Sequence, residues 1–299
     1  GFTLTEQHFP TEAEARAEYR RRLARQHLRP GGDPGAAAEE WQKVLDLVPD
    51  DPEALEGLTE IYRAQNAGDL LAQVLRRRLG MEEEPARRAA LLRDLAQVQE
   101  ERLKDAVGAM STLRRLLELD GRDREALSRL DRLCVRNEKW VELADVLARQ
   151  AVAAEAAGDR GGAAAFRFRL AELKETRLLD REGAVALYED ILAAQPDHAE
   201  AIARLEALLQ RDPGNARAAA ALERAYEAGG SWQKYAGVLE VRAADRPDPL
   251  ERKALFERLA EVRERRLQNP EMAFLALCRA FREDPADPGV RAALERLAE

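Results

Sequence analysis

LAQVQEERLKD (Leu95 to Asp105), LAELKETRLLD (Leu170 to Asp180) and LAEVRERRLQN (Leu259 to Asn269) are three copies of one segment. Their common frame is L-A-x-(V/L)-x-E-x-R-L-x-(D/N). The first two copies start 75 residues apart (170 − 95) and the next two 89 (259 − 170). Recurrence at a fixed period is the mark of stacked supersecondary units, each burying its apolar face on its neighbours.

Outward from each copy runs a second helical segment with a sharper frame: a small residue, a bulky apolar residue four on, an apolar or small one three further, and a helix breaker five beyond. Ala37, Trp41, Val44 and Pro49 meet it. So do Ala109, Leu113, Leu116 and Gly121, then Ala184, Tyr188, Ile191 and Pro196. Ala201, Leu205, Leu208 and Pro213 follow, and lastly Ala273, Leu277, Ala280 and Pro285. Steps of four and three keep three residues on one helix face, and Pro or Gly ends each helix at a set length. A third element alternates with these. Trp140 to Leu147 matches Trp232 to Leu239, and an earlier copy runs through Leu71, Ala72, Val74 and Leu75. Before each lies a helix carrying Leu58 and Tyr62, Leu130 and Cys134, or Leu222 and Tyr226. A unit of 75 residues therefore holds four helices. No period-two alternation occurs, so no sheet is expected.

The five-copy frame resembles the second helix of the tetratricopeptide repeat (TPR) family, whose pattern sets Ala, Phe or Tyr, Ala and Pro at these intervals. The L-A pairs at Leu95, Leu170 and Leu259 sit where that family's first helix carries Leu-Gly or Leu-Ala. The resemblance covers about Ala36 to the C-terminus. It implies an all-α fold, a right-handed α-solenoid of stacked antiparallel helix pairs forming a TPR-like superhelix over 36–299. Residues 1–35 are then a lead-in of extended chain (1–10), one helix and a turn-rich linker. Thr11 and Glu14 make a capping box that opens that helix. Several bulky positions hold Leu where the family has an aromatic.

Two irregularities stand out. The helix ending at Pro196 is followed by another of the same second type ending at Pro213, which predicts a kink or a surface insertion near 196–215. The chain opens on Gly1 and stops at Glu299 inside the pattern RAALERLAE, as an excised piece of a longer protein would. Val290, Leu294 and Leu297 are then expected to form an exposed apolar face.

Composition narrows the function. Lys and Arg number 48 against 56 Asp and Glu, a net charge of −8, which disfavours general nucleic-acid binding. No apolar run reaches the roughly 20 residues of a membrane helix. Cys134 and Cys278 are too few for a disulfide scaffold or a thiolate zinc cluster and occupy apolar-periodic positions. His8, His27 and His198 have no second ligand at helical spacing. GDRGGAA, from Gly158, has neither the preceding strand nor the Lys of a phosphate loop and is read as a helix-joining turn. Trp41, Trp140 and Trp232 fill repeat positions and are read as core. The basic clusters at Arg20–Arg22, Arg76–Arg78 and Arg265–Arg266 stand among acids, as solvated helix faces do. No cofactor, metal or catalytic residue is assigned.

In the TPR family selected first-helix positions face the concave surface. Counted from each L-A pair they are Arg93, Gln97, Glu100 and Glu101; Phe168, Glu172 and Glu175; and Glu257, Glu261, Glu264 and Arg265. Glu recurs at the sixth frame position as Glu100, Glu175 and Glu264. One reading is an acidic groove for a protein partner with a basic or mixed surface; the other is solubility and helix pairing. Arg93 is the lone base besides Arg265, unlike TPR domains that clamp a C-terminal carboxylate. The expectation is a non-catalytic, cytoplasmic protein-interaction scaffold. The resemblance implies a setting in a bacterial envelope, pilus or polarity machine, with a small Ras-like GTPase as one partner. Alternatives are the regulatory solenoid of a larger enzyme and a nucleic-acid binder.

Overall fold

Asp or Asn before a Pro-, Gly- or Ala-rich start, and a polar turn after some 13 to 17 residues, set the rhythm of this chain. A computed structural model describes residues 12–298 and shows sixteen α-helices and no strand among them. They are α1 (Glu12–His27), α2 (Pro34–Leu47), α3 (Pro52–Ala64), α4 (Gly68–Met81), α5 (Pro85–Gln97), α6 (Ala106–Leu119), α7 (Arg124–Arg136) and α8 (Trp140–Ala156). There follow α9 (Arg160–Thr176), α10 (Arg181–Ala194), α11 (Ala199–Arg211), α12 (Ala216–Ala228), α13 (Trp232–Asp245), α14 (Pro249–Arg265), α15 (Pro270–Glu283) and α16 (Pro288–Ala298). A π-helical turn, Val98–Arg102, extends α5. Connections of a few residues make sequential helices antiparallel neighbours. The chain divides into two compact units, Gly1–Arg149 and Gln150–Glu299, whose boundary falls within α8.

The second-helix frame is the core. Ala37, Val44, Ala109, Leu116, Ala184, Ala201, Leu205, Ala273 and Ala280 are fully buried, and Trp41, Leu113, Tyr188 and Ile191 nearly so. Leu208 is the exception, only half-buried. Burying one such large side chain is worth about 1.5–3 kcal/mol, and the alanines let neighbouring helices come close enough to use it.

The three L-A segments end in the same turn, although only the first passes through a π-helical stretch. Their tenth residues, Lys104, Leu179 and Gln268, all turn left-handed, at φ of 54°, 55° and 50°. The N–H of the next residue then reaches back six positions: Asp105 to Gln99 O (2.8 Å), Asp180 to Lys174 O (2.8 Å), Asn269 to Arg263 O (2.9 Å). The side chains of those residues accept from Gly108, Gly183 and Met272 N and cap α6, α10 and α15. The final Asp or Asn of the frame is thus an N-cap, satisfying an otherwise orphaned helix amide. The alternate hairpins share another turn. Asn66, Glu138 and Gly230 are left-handed, and Ala67, Lys139 and Ser231 donate to Tyr62, Cys134 and Tyr226 carbonyls.

Pairing begins earlier than the sequence boundary at residue 36. The helix α1 packs on α2, burying Ala17 and Ala24, and Arg21 reaches Asp51 at 2.6 Å. Thr11, its expected cap, and residues 1–10 with His8 lie outside the described residues. The expected exposed face of α16 is corrected. Val290 is 2% exposed, and Leu294 and Leu297 rest half-buried on the core of the second unit, because α16 lies against α15.

Candidate interaction surface

The groove positions lie on α5, α9 and α14, and most of their charges are met by the next helices. On α5, Arg93 donates through Nε and Nη2 to Asp123, the cap of α7, at 2.9 and 2.7 Å. Burial pushes the Asp123 carboxyl up, but the Ala126 amide and Arg93 outweigh it and hold it below its ordinary range. Glu100 accepts from Arg129 Nε and Nη2 at 3.1 and 2.9 Å, with Arg129 itself buried. Gln97 donates to Glu101 at 3.0 Å. On α9, Glu172 pairs with Arg204, and Glu175 accepts from the Tyr188 hydroxyl at 3.2 Å. Burial, with Glu175 beside it, raises the Tyr188 phenol well above its usual value. Phe168 is half-buried, 5.7 Å from both the Tyr188 and His198 rings and stacked on the latter. On α14, Glu261 pairs with Arg265 at 2.8 Å, Glu264 takes both Arg296 nitrogens at 2.5 and 2.8 Å, and Glu257 is half-buried. The three recurrent glutamates therefore fasten the first-type helices, those of the L-A segments, to their neighbours.

The irregular segment is a full helix, α11, and it faces two ways. It is entered by the turn that precedes α3, α7 and α16: Gln195 N donates to Ile191 O and His198 N to Gln195 O. It is left by the same kind of turn, Asp212 N to Leu208 O and Asn215 N to Asp212 O. Toward α9 it behaves as α7 does toward α5, since Arg204 stands six residues past its cap and pairs with Glu172, as Arg129 on α7 pairs with Glu100. Toward α12 and α13 it behaves as a second-type helix. Glu206, next to the bulky Leu205, accepts from Tyr226 and meets Lys234 at 3.2 Å. Its cap is His198, whose Nδ1 accepts from Ala201 N at 3.2 Å. With α11 present, α10 packs on α12 as well as on α11, and Glu189 holds both Arg217 and Arg224.

A pocket that the sequence reading missed lies wholly in the second unit. Glu227 of α12, Trp232 and Tyr235 of α13, and Arg258, Glu261, Val262, Arg265 and Arg266 around the end of α14 enclose about 430 Å³. Trp232 is half-buried rather than core, and the Arg266 guanidinium covers its ring at 4.7 Å. Arg258 covers Tyr235 at 5.4 Å. Burial raises the Tyr235 phenol, and Arg258 opposes that rise. Trp41, by contrast, is core, as read.

The remaining candidates carry no assembled chemistry. Burial pushes the Cys134 thiol up to about 11, and Cys278 is half-buried. GDRGGAA is the α8–α9 turn, with Asp159 capping α9 through Gly162 N at 2.8 Å. Arg20, Arg21 and Arg22 pair with Glu40, Asp51 and Glu18. Among the described residues there is no group of three His, Cys, Asp or Glu that could hold a metal, and no helix long and apolar enough to cross a membrane.

No protein-family model matches the chain, and no curated protein matches it. Many solved structures do. One is a tetratricopeptide repeat protein from Parabacteroides merdae, at 15% identity over 95% of this chain and 100% of that one, with a TM-score of 0.35. Another is YrrB, a TPR protein with an unusual peptide-binding site, at 18% identity over 65% of this chain and 92% of that one, TM-score 0.35. A third is PilW, a type IV pilus biogenesis factor, at 18% identity over 68% and 96%, TM-score 0.29. The chain is thus similar to solved tetratricopeptide-repeat proteins, and its helices pack as neighbouring pairs.

Proposed function

We propose that the chain is a non-catalytic scaffold that binds partner proteins on the faces of its helical repeats. The observation that supports this is a constant backbone carrying variable side chains. The three L-A segments share their turn, their cap and their buried leucines. Apart from the recurrent Glu and Arg, positions between those fixtures change. Gln97, Glu172 and Glu261 share one place in the frame, and Glu101, Thr176 and Arg265 another. Repeats that keep geometry while changing chemistry present many contacts in fixed register, as an extended docking surface does.

The groove positions Arg93, Gln97, Glu100, Glu101, Phe168, Glu172, Glu175, Glu257, Glu261 and Glu264 belong to this proposal. Since Glu100, Glu172 and Glu264 already serve ion pairs, a basic partner gains from them by competing with Arg129, Arg204 and Arg296. Exposed pairs are worth little singly and act more on encounter and orientation than on affinity. The test is cross-linking mass spectrometry on a complex purified from the source cell. Cross-links concentrated on α5, α9 and α14 support the groove. Cross-links confined to the second-type helices leave the scaffold intact and remove the groove.

A further inference from the structure

In the Trp232–Arg266 pocket the arginines are not all held by carboxylates. At the L-A segments guanidinium groups are spent on carboxylates: Arg93 on Asp123, Arg129 on Glu100, Arg204 on Glu172, Arg296 on Glu264. In the pocket, Arg265 is spent on Glu261. Arg258 stands 3.9 Å from Glu223, at the outer limit of an ion pair, and Glu223 is already hydrogen-bonded by Arg242. Arg266 meets the indole face of Trp232 and, among the described residues, no carboxylate. A guanidinium laid on an aromatic ring is held flat while its edge N–H groups stay available, the arrangement that suits two-point capture of a carboxylate.

The walls add a second requirement. Tyr235 and Val262 are buried and Trp232 half-buried, so aromatic and apolar side chains back the pocket behind its charged rim. The rim also carries Glu227 and Glu261, and the chain as a whole is at −8. A phosphate backbone, with a charge at every step, meets repulsion beyond its first contact. A single carboxylate beside an apolar side chain meets both halves of the pocket and little of that repulsion.

We propose that the pocket formed by Trp232, Tyr235, Arg258 and Arg266 takes an Asp or Glu side chain of a partner protein, with an apolar neighbour of that residue packing beside the half-buried indole. The assignment rests on the scaffold reading and adds a chemical class of ligand to it. It is opposite in sign to Glu172, Glu175 and Glu264 of the same unit, so a partner that uses both must present acid here and base there, which fixes its orientation.

The experiment selects random dodecapeptides displayed on phage against the whole chain. It then titrates the capped consensus peptide and its Asn or Gln counterpart calorimetrically. The expected consensus holds an Asp or Glu next to a large apolar residue. The amide counterpart binds at least about tenfold more weakly, as does the acidic peptide to Arg266→Gln, while the amide peptide is indifferent to that substitution. Trp232→Leu weakens both peptides, and circular dichroism shows each variant as helical as the parent. Failure to select any peptide, a consensus without an acid, equal binding of acid and amide, or an unaltered Arg266→Gln each overturns the pocket. A companion purification from the source cell separates this from the scaffold itself. If the parent and the Arg258→Gln/Arg266→Gln variant retain the same partners equally, the pocket is rejected and the scaffold stands. If neither retains a partner, the scaffold is rejected.

Discussion

Glu206 on α11 lies 3.2 Å from Lys234 on α13, and 28 positions separate them in the chain, as they separate Arg114 from its partner Glu142. Both pairs join the residue after a bulky second-frame position to the second residue past a tryptophan, Trp232 or Trp140. Two residues before Glu206, Arg204 instead joins α11 to the first-type helix α9. One helix thus ends one repeat series and starts the next, which is how a surplus helix enters without breaking the packing of either side. Its weakest fixture is its cap. His198→Ala removes the acceptor for Ala201 N and the ring stacked on Phe168. A lost N-cap costs about 0.5–2 kcal/mol. Hydrogen exchange read by mass spectrometry should show α11 opening more readily, with α10 and α12 following. Unaltered protection of α11 would contradict its placement as a separately capped helix.

Gly57, inside α3, should resist the substitution that usually helps a helix. Alanine is favoured over glycine by about 1 kcal/mol on helix propensity. Here an added Cβ would stand 2.5 Å from Trp41 Nε1 and 2.7 Å from Cε2. The indole is 2% exposed and cannot swing aside cheaply. Overpacking of this kind costs about 1–3 kcal/mol. Urea denaturation followed by circular dichroism should show Gly57→Ala less stable than the parent, and a gain in stability would mean that Trp41 is not held against α3.

Leu179 gives the opposite case. It is 79% exposed and held at φ 55°. Left-handed backbone costs a side chain about 1–2 kcal/mol, part of which the greater unfolded freedom of glycine returns. Leu179→Gly should therefore raise stability, by roughly 0.5–1 kcal/mol, in an equilibrium urea titration. A loss would show that the Leu179 side chain contributes packing that its exposure conceals.

Acid should loosen α16 through its fastenings to α14. The Arg296 hydrogen bonds hold the Glu264 carboxyl below its ordinary range, and the Lys253 ammonium does the same for Asp287. A carboxyl lowered on folding stabilises the fold fully above its unfolded value, about pH 4, and that contribution fades as pH falls through the folded value. Amide exchange in α16, corrected for intrinsic rates, should accelerate between pH 5 and about pH 3 relative to α15. Glu264→Gln should flatten that dependence. A protection profile that ignores both acid and the substitution would remove these pairs as fastenings.

Much of the helical frame was open to reading from residues alone, because packing in a helix repeats every three or four positions. Ala184, Tyr188 and Ile191 are all 1% exposed or less, and the surplus helix was visible from Pro196 and Pro213. Its double allegiance was not, since Arg204 and Glu206 find partners 32 and 28 residues away. Nor did any residue type announce the left-handed turns at Lys104, Leu179 and Gln268, where glycine would have been the signal. The glutamates were read as a groove face because spacing shows which side of a helix a residue occupies, not which cation reaches it. The Trp232 pocket escaped for the same reason: Arg266 comes from another helix end, and the tryptophan matched a repeat position that Trp140 also fills.

The central claim is that this chain works by holding other proteins. The most direct measurement is quantitative mass spectrometry of what the folded chain retains from extract of its source cell, at two salt concentrations, against the same chain unfolded before immobilisation and against nuclease treatment. The account predicts proteins retained in near-stoichiometric amount by the folded chain alone, with retention indifferent to nuclease. Equal retention by the unfolded chain, or retention that nuclease abolishes, would contradict it.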